Sequence, residues 1–220
     1  MHALARALHS RVADRRRVDN YYAPLAIACE SRVRQSARRP CIVGLQGPQG
    51  GGKTTLATAL VALGPGDEAL VPLYDKSAHR GRGDRAPRDR WRRVAGPLDL
   101  ILVDGWMLGF SPAPQESVGD DLRAPNGYLG AYADWPAKLD MLVRLDVCSL
   151  ETIVRWRVDA ERARRARGEA GLSDDDARDY IERFLPAYEV YVPQLRTRPP
   201  CRDVVEVVLG DDRMPLEPLR

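Results

Sequence analysis

The segment spanning residues 43–60, VGLQGPQGGGKTTLATAL, constrains the fold of this chain more than any other part of the sequence. An apolar run leads directly into a glycine-rich loop, and a run of helical character follows it. Because glycine has no side chain, successive backbone N–H groups can point into such a loop and surround an anion. The pattern G-x-x-x-x-G-K-[ST] from Gly47 to Thr54 therefore predicts a strand, a phosphate-binding loop and a helix in that order.

This loop predicts a bound nucleotide, with ATP and Mg²⁺ as the expected cofactors. The Lys53 ammonium is expected to bridge the β- and γ-phosphates, and the Thr54 hydroxyl is expected to ligate the metal. The chain contains only three lysines against many arginines, and a compact ammonium fits here where a guanidinium would not. The residues expected to bind the nucleotide are Gly47, Gly50, Gly51, Gly52, Lys53, Thr54 and Thr55.

Strand-like and helix-like segments alternate along the rest of the chain. Strands are predicted at 41–46, 68–74, 98–104, 138–147 and 202–210, and helices at 3–17, 24–38, 149–168 and 173–195. The continuous apolar character of 98–104 predicts a strand covered on both faces, as in parallel sheets. Alternating strands and helices predict an α/β protein, with the three-layer P-loop NTPase fold, a mainly parallel sheet and an arginine-rich helical lid.

The predicted organisation is a single domain over residues 1–220. N-terminal helices occupy 1–39, a nucleotide-binding core occupies 40–220, and the lid covers about 155–172. A chain of this length is long enough for one core and short for two. The sequence does not specify an oligomeric state.

Charge and composition reduce the number of protein classes that fit the sequence. The formal net charge is only +3, so the many arginines are interpreted as compositional bias, and RNA binding is a minor alternative. The four cysteines are scattered without a CxxC pair, which predicts reduced thiols in the cytoplasm. No apolar run is long enough for a membrane helix, and charged residues interrupt the N-terminal stretch where a signal peptide would lie. We therefore expect neither nucleic acid nor membrane as a partner.

Two further features are candidates for catalysis. Asp104 ends the strongest predicted strand, where ligands of open α/β sheets collect, so it is expected to act on the metal or the attacking group. The arginine-rich stretch 155–167 is either a solvated helix face with pairs of the Glu161–Arg165 type or a lid that brings Arg165 to the transferring phosphoryl group.

Several blocks resemble the D-glycerate 3-kinase family, a branch of the P-loop kinases related to uridine kinase, pantothenate kinase and phosphoribulokinase. They read YYAPLA (21–26), GLQGPQGGGKTTL (44–56), YDKSAHRGRGDR (74–85), PLDLILVDGWMLGF (97–110) and the stretch 156–195. The WMLGF and YDKS blocks are much more specific than the glycine loop. Asp104 stands where the family usually has Glu.

The resemblance implies transfer of the γ-phosphoryl group of ATP to a hydroxyl of D-glycerate or a similar small hydroxy acid. Lys76, Arg82 and Arg85 share one loop and are expected to bind the substrate carboxylate. Asp75 and Asp104 are candidates for the base, and Thr54 with Asp104 for the metal ligands. Acceptors of the pantothenate or uridine type remain an alternative.

One part of the family pattern is missing from this chain. Family members carry an acidic D-D-F-Y motif and an R-G-x-P-G-T-H-D stretch after the helix of the glycine loop. Here only residues 64–74 join that helix to Asp75, and neither motif is present. Because the first motif supplies the expected base in related kinases, a protein that binds ATP without transferring phosphate is the second hypothesis.

Overall fold

The computed structural model describes residues 8–10, 12–36, 40–49, 69–71, 73–75, 84–94, 99–134 and 136–219. Its strands are β1 (Cys41–Gln46), β2 (Ala69–Val71), β3 (Tyr74–Asp75), β4 (Asp84–Arg85), β5 (Arg92–Val94), β6 (Leu100–Gly105), β7 (Met141–Val147) and β8 (Val204–Leu209). Its main helices are α1 (Ala23–Gln35), α2 (Asp120–Leu129), α3 (Leu150–Ala166), α4 (Asp174–Glu182) and α5 (Leu185–Thr197).

Four of the strands form the main sheet, in the order β6-β1-β7-β8. Each neighbouring pair in this sheet is parallel, with Leu45 of β1 in register with Asp104 of β6 and Gln46 of β1 in register with Arg144 of β7. All carboxyl ends of the strands therefore lie along one edge, and β1 reaches that edge between two neighbours.

Helices cover both faces of this sheet. On one face, α1 and the preceding turns pack on Cys41, Val43 and Leu45 of β1. On the other, α2 and α5 pack on Ile42 and on Leu142 of β7. Alternate residues of the strands point to opposite faces. The predicted three-layer α/β architecture with a mainly parallel sheet is confirmed.

The N-terminal helical region differs in detail from the prediction. A helical turn at Arg15–Arg17 continues through a π-helical turn at Val18–Tyr22 into α1, so the helix predicted at 24–38 begins earlier. The Asp14 side chain accepts a hydrogen bond from the Arg17 N–H and caps its start. Ser36 is extended, which ends α1 at Gln35.

Two predicted strands behave differently from expectation. In the described part of the chain β6 pairs only with β1, and its residues are half-buried, or exposed at Asp104, rather than covered on both faces. The predicted strand 68–74 is split into β2 and β3, which pair antiparallel with β5 and β4 outside the main sheet.

The single helix predicted at 173–195 is two helices. Ser173 caps α4, because its hydroxyl accepts a hydrogen bond from the Asp176 N–H. Pro186 then lies in the first turn of α5, and its ring nitrogen has no hydrogen to donate to the Glu182 carbonyl. The chain therefore breaks between Glu182 and Leu185 and starts a new helix.

All four cysteines are free thiols. Burial, with the neighbouring Cys41, raises the pKa of the Cys29 thiol to about 12, so this thiol stays protonated and unreactive. Among the described residues, none of the helices combines the length and apolar composition needed to cross a lipid bilayer.

Candidate functional site

The first residue of the glycine loop lies where a side chain has no room. β1 ends at Gln46, and a Cβ atom on Gly47 would lie 2.6 Å from the Cβ of Leu145 on β7. Because strand β7 is held on both sides by parallel neighbours, Leu145 has little freedom to move away. Only glycine allows the chain to leave β1 this close to the adjacent strand.

Two side-chain contacts fix the chain on either side of Gly47. The Gln46 side-chain amide donates a hydrogen bond from Nε2 to the Trp106 carbonyl at 3.0 Å. The backbone N–H of Gln49 donates to the hydroxyl of Tyr188 on α5 at 3.1 Å. The entry of the loop is thus held by the segment after β6 and by α5. The remaining predicted nucleotide-binding residues lie outside the described residues: Gly50, Gly51, Gly52, Lys53, Thr54 and Thr55.

Asp104 lies at the carboxyl end of β6, beside the end of β1. Its Cα is in register with Leu45, two residues before Gly47, and its side chain is exposed. The fold therefore brings this carboxylate and the loop entry to the same edge of the sheet. Among the described residues no three His, Cys, Asp or Glu side chains group into a metal site. A site built from Asp104 and the predicted ligand Thr54 uses the oxygen donors that Mg²⁺ prefers.

Asp75 and Arg85 lie in the small sheet formed by β3 and β4. Asp75 is opposite Asp84, and its carboxylate is 3.6 Å from the Arg90 guanidinium. The Arg85 guanidinium lies 5.9 Å from the ring centre of Trp91. The other two residues predicted to bind the substrate, Lys76 and Arg82, lie outside the described residues.

Arg165 is engaged within the predicted lid. Its Nη2 is 2.6 Å from Oδ1 of Asp174, the first residue of α4, and its Nη1 donates to the Leu172 carbonyl. Arg162 donates to the other oxygen of the same carboxylate, from Nε at 2.8 Å. These hydrogen bonds, first from Arg162 and then from Arg165, hold the pKa of Asp174 below its usual value. We call this contact of Arg162 and Arg165 with Asp174 the α3–α4 clasp.

A second carboxylate contacts the turn between α3 and α4. Glu161 is buried and pairs with Arg157 at 2.7 Å, rather than with Arg165 as the predicted solvated pair required. Its Oε2 also accepts a hydrogen bond from the Leu172 N–H at 3.1 Å. Gly171 lies against this carboxylate, since a Cβ there would be 3.0 Å from Glu161 Oε2. The stretch 155–172 is therefore a helix and turn held together by ion pairs.

The tryptophan of the WMLGF block, Trp106, connects this helical region to the loop entry. The Trp106 ring contacts Phe110, Phe184 and Tyr188, with ring centres 6.0, 5.3 and 5.5 Å away. The glycine of the block, Gly109, has a φ of +85°, which explains the residue type. Trp106 is thus half-buried and packs against the core.

A small cavity opens beside the loop entry, and sequence reasoning missed the polar residues around it. It measures about 210 Å³ and is lined by residues including Gln46, Pro48, Asp146, Tyr188 and Arg196. Asp146 is buried and accepts from Arg196 Nε at 3.0 Å and from Arg144 Nε at 3.1 Å. The signal in the sequence is weak: charged residues alternate with apolar ones inside an otherwise buried strand.

Comparisons with known proteins define the class. No family model matches the chain. Its fold is similar to that of a solved D-glycerate 3-kinase from Cryptococcus neoformans, with a TM-score of 0.74, 20% identity, and coverage of 89% of this chain and 97% of that one. The parallel sheet, with the glycine loop leaving the end of an inner strand, is the architecture of the P-loop kinases.

At the level of sequence, the chain is similar to curated kinases. It is 32% identical to the chloroplastic D-glycerate 3-kinase of Arabidopsis thaliana, over 91% of this chain and 60% of the relative. It is also 25% identical to the uncharacterized kinase mug58 of Schizosaccharomyces pombe, over 81% of this chain and 91% of the relative. The chain thus spans less than two thirds of the length of the plant relative.

The plant comparison also bears on the missing segment. The matched region extends over 274 residues, which is more than the 220 residues of this chain. The relative therefore has residues inside the matched region that have no counterpart here. From the sequence we expect such a segment before Asp75, where the two family motifs are absent.

Proposed function

We propose that this chain is an ATP-dependent small-molecule kinase that transfers the γ-phosphoryl group to a hydroxyl of D-glycerate or a similar hydroxy acid. The observation that carries the proposal is the junction at Gly47. There the chain leaves an inner parallel strand without room for a side chain, beside the strand that ends in Asp104. The homology with kinases, one of them a D-glycerate 3-kinase, supports the choice of reaction and acceptor.

The proposed roles are those that the sequence motifs and the family resemblance imply. Backbone N–H groups of the glycine loop and the Lys53 ammonium hold the phosphates. Thr54 and Asp104 hold Mg²⁺, which when bound neutralises charge on the phosphates. Asp104 or Asp75 accepts the proton of the acceptor hydroxyl while the hydroxyl oxygen bonds to the γ-phosphorus and ADP leaves. Lys76, Arg82 and Arg85 bind the carboxylate of the acceptor.

The role proposed for Arg165 is contact with the transferring phosphoryl group, and it requires the guanidinium to change its hydrogen-bond partners. In the present conformation both of its terminal nitrogens are occupied, one by Asp174 and one by the Leu172 carbonyl. To reach a phosphoryl group the guanidinium has to exchange these oxygens for those of the nucleotide. A lid that closes over the nucleotide is one way to make this exchange.

A second function is favoured by the missing acidic motif. A chain that retains the glycine loop but lacks the usual base can bind ATP without transferring phosphate. Phosphoryl transfer depends mainly on positioning and charge stabilisation, so loss of the base lowers the rate without removing nucleotide affinity. A kinase that acts on a pantothenate- or uridine-type acceptor is the alternative within the enzyme class.

The deciding experiment is a coupled assay of ADP release with MgATP. D-glycerate is compared with glycerol, pantothenate and uridine, and Lys53→Ala serves as the inactive control. We expect release that depends on D-glycerate and disappears in the variant. Release with another acceptor alone would replace D-glycerate in the proposal. ATP binding without any acceptor-dependent release would favour the second function.

A further inference from the structure

The Gln49 N–H is held by a side chain from a distant part of the sequence. Gln49 occupies the third position of the glycine-loop motif, and its N–H donates to the Tyr188 hydroxyl at 3.1 Å. The two residues are separated by 139 positions in the chain. In a loop of this kind the direction of each N–H determines whether the loop can surround a phosphate. A side chain that fixes one N–H therefore affects the directions of those that follow.

Tyr188 is itself held rigidly. Its side chain is only 3% exposed and packs with Ile153, Val154 and Ile181. Its ring lies against that of Trp106, whose carbonyl accepts the hydrogen bond from Gln46. The same aromatic pair therefore holds the chain both before and after Gly47. Burial raises the pKa of Tyr188, so the hydroxyl remains neutral and able to accept this hydrogen bond across the physiological pH range.

We propose that Tyr188 is a positioning residue for the nucleotide: through Gln49 it sets the entry of the glycine loop so that the following N–H groups face the phosphates. The inference rests on the proposed function, because it assigns Tyr188 a part in nucleotide binding. Tyr188 acts through the loop backbone and does not itself contact the nucleotide. Its hydroxyl, and not its ring, carries the effect.

The test compares two tyrosines of the same helix. Tyr188→Phe removes the hydroxyl that holds Gln49, whereas Tyr191→Phe removes the hydroxyl of an equally buried tyrosine, which donates to Asn126 Oδ1 at 3.1 Å in another part of the core. Each variant loses one hydrogen bond of a tyrosine hydroxyl, so the two should melt at similar temperatures. We expect Tyr188→Phe alone to weaken MgADP binding, measured by calorimetry, by roughly 3- to 10-fold, the value of one hydrogen bond.

Amide hydrogen exchange without nucleotide provides a second readout. We expect faster exchange at Gln49 and the following loop amides in Tyr188→Phe, and unchanged exchange there in Tyr191→Phe. Equal MgADP affinity in the two variants would overturn the inference and leave the proposed function intact. A wild-type protein that binds no MgADP would overturn the proposed function and the role of Tyr188 together.

Discussion

At the scale of single residues, close packing identifies the residue types that the site requires. Gly47 is required because Leu145 of the next strand occupies the space of its Cβ. Gly109 is required by its positive φ and by the Leu195 side chain, which a Cβ would approach to 2.9 Å. Such positions differ from the exposed Gly127 of α2, where a Cβ would meet no atom within 4 Å.

This contrast gives a prediction for the loop entry. Gly47→Ala inserts a methyl group against the β7 backbone and should lower the free energy of unfolding by about 1–3 kcal/mol, the usual effect of overpacking. Gly127→Ala, the matched control, should raise the stability by about 0.5–1 kcal/mol, because alanine is the better helix former. Urea unfolding measures both. A Gly47→Ala protein as stable as the control would mean that the loop entry differs from the structure.

The sequence specified some residues of the site but could not specify others. The glycine and lysine pattern marks the loop because its chemistry is local and has a fixed spacing. Tyr188 and the Arg144–Asp146–Arg196 cluster have no such spacing, since their partners lie on different strands and helices. Their roles follow from the way the elements pack, and this is visible only in three dimensions.

At the scale of secondary-structure elements, the α3–α4 clasp determines how the predicted lid is held. Arg162 and Arg165 lie about one helical turn apart on α3 and share the carboxylate of Asp174. This geometry was not predictable from charge alone, because arginine-rich helices usually face solvent. The solvated-face alternative suggests pairs of the Glu161–Arg165 type; in the structure Glu161 is instead turned inward onto Arg157, also four residues away, and onto the Leu172 N–H.

The clasp predicts a pH-dependent contribution to stability. The folded-state pKa of Asp174 is depressed below its unfolded value of 3.8, so its stabilising contribution is present above that pH and is lost as the pH falls through the folded pKa. Asp174→Asn should therefore be less stable than wild type at neutral pH, and the difference should close in acid. Because the pair is exposed, high salt should also reduce the difference.

Asp175→Asn is the matched control, because it removes a neighbouring carboxylate from the first turn of α4 without touching the clasp. Thermal unfolding measured from neutral to acidic pH compares both variants with wild type. If the stability difference between Asp174→Asn and wild type does not change with pH, the α3–α4 clasp stabilises the fold by packing rather than by charge. Equal losses in the two variants would assign the effect to the helix N-terminus.

At the scale of the whole molecule, the parallel sheet was more predictable than the segment 69–94. The strands β1, β7 and β8 were predictable because each is an apolar run with clear ends. The described parts of 69–94 form small antiparallel sheets whose short, polar strands give little sequence signal. This is the region in which the family resemblance leads us to expect an acidic motif that the sequence lacks.

The proposed nucleotide site leads to a prediction about ligand-dependent stability. If the glycine loop is intact, saturating MgATP should stabilise the native state by about 2.7 kcal/mol at 100 times the Kd. For a chain of this size that corresponds to a rise in Tm of about 5–10 °C. Lys53→Ala should abolish the rise, because the ammonium is the main side-chain charge expected on the phosphates.

Lys138→Ala is the control for this variant, since it makes the same chemical change in the turn before β7. Its Tm should rise with MgATP as in the wild type, and differential scanning fluorimetry measures all three proteins. An unchanged rise in Lys53→Ala would remove the glycine loop from the binding site. Two results together would show that the chain has an acceptor site next to its nucleotide. The rise in Tm is lost only in Lys53→Ala, and D-glycerate increases the rise further in the wild type.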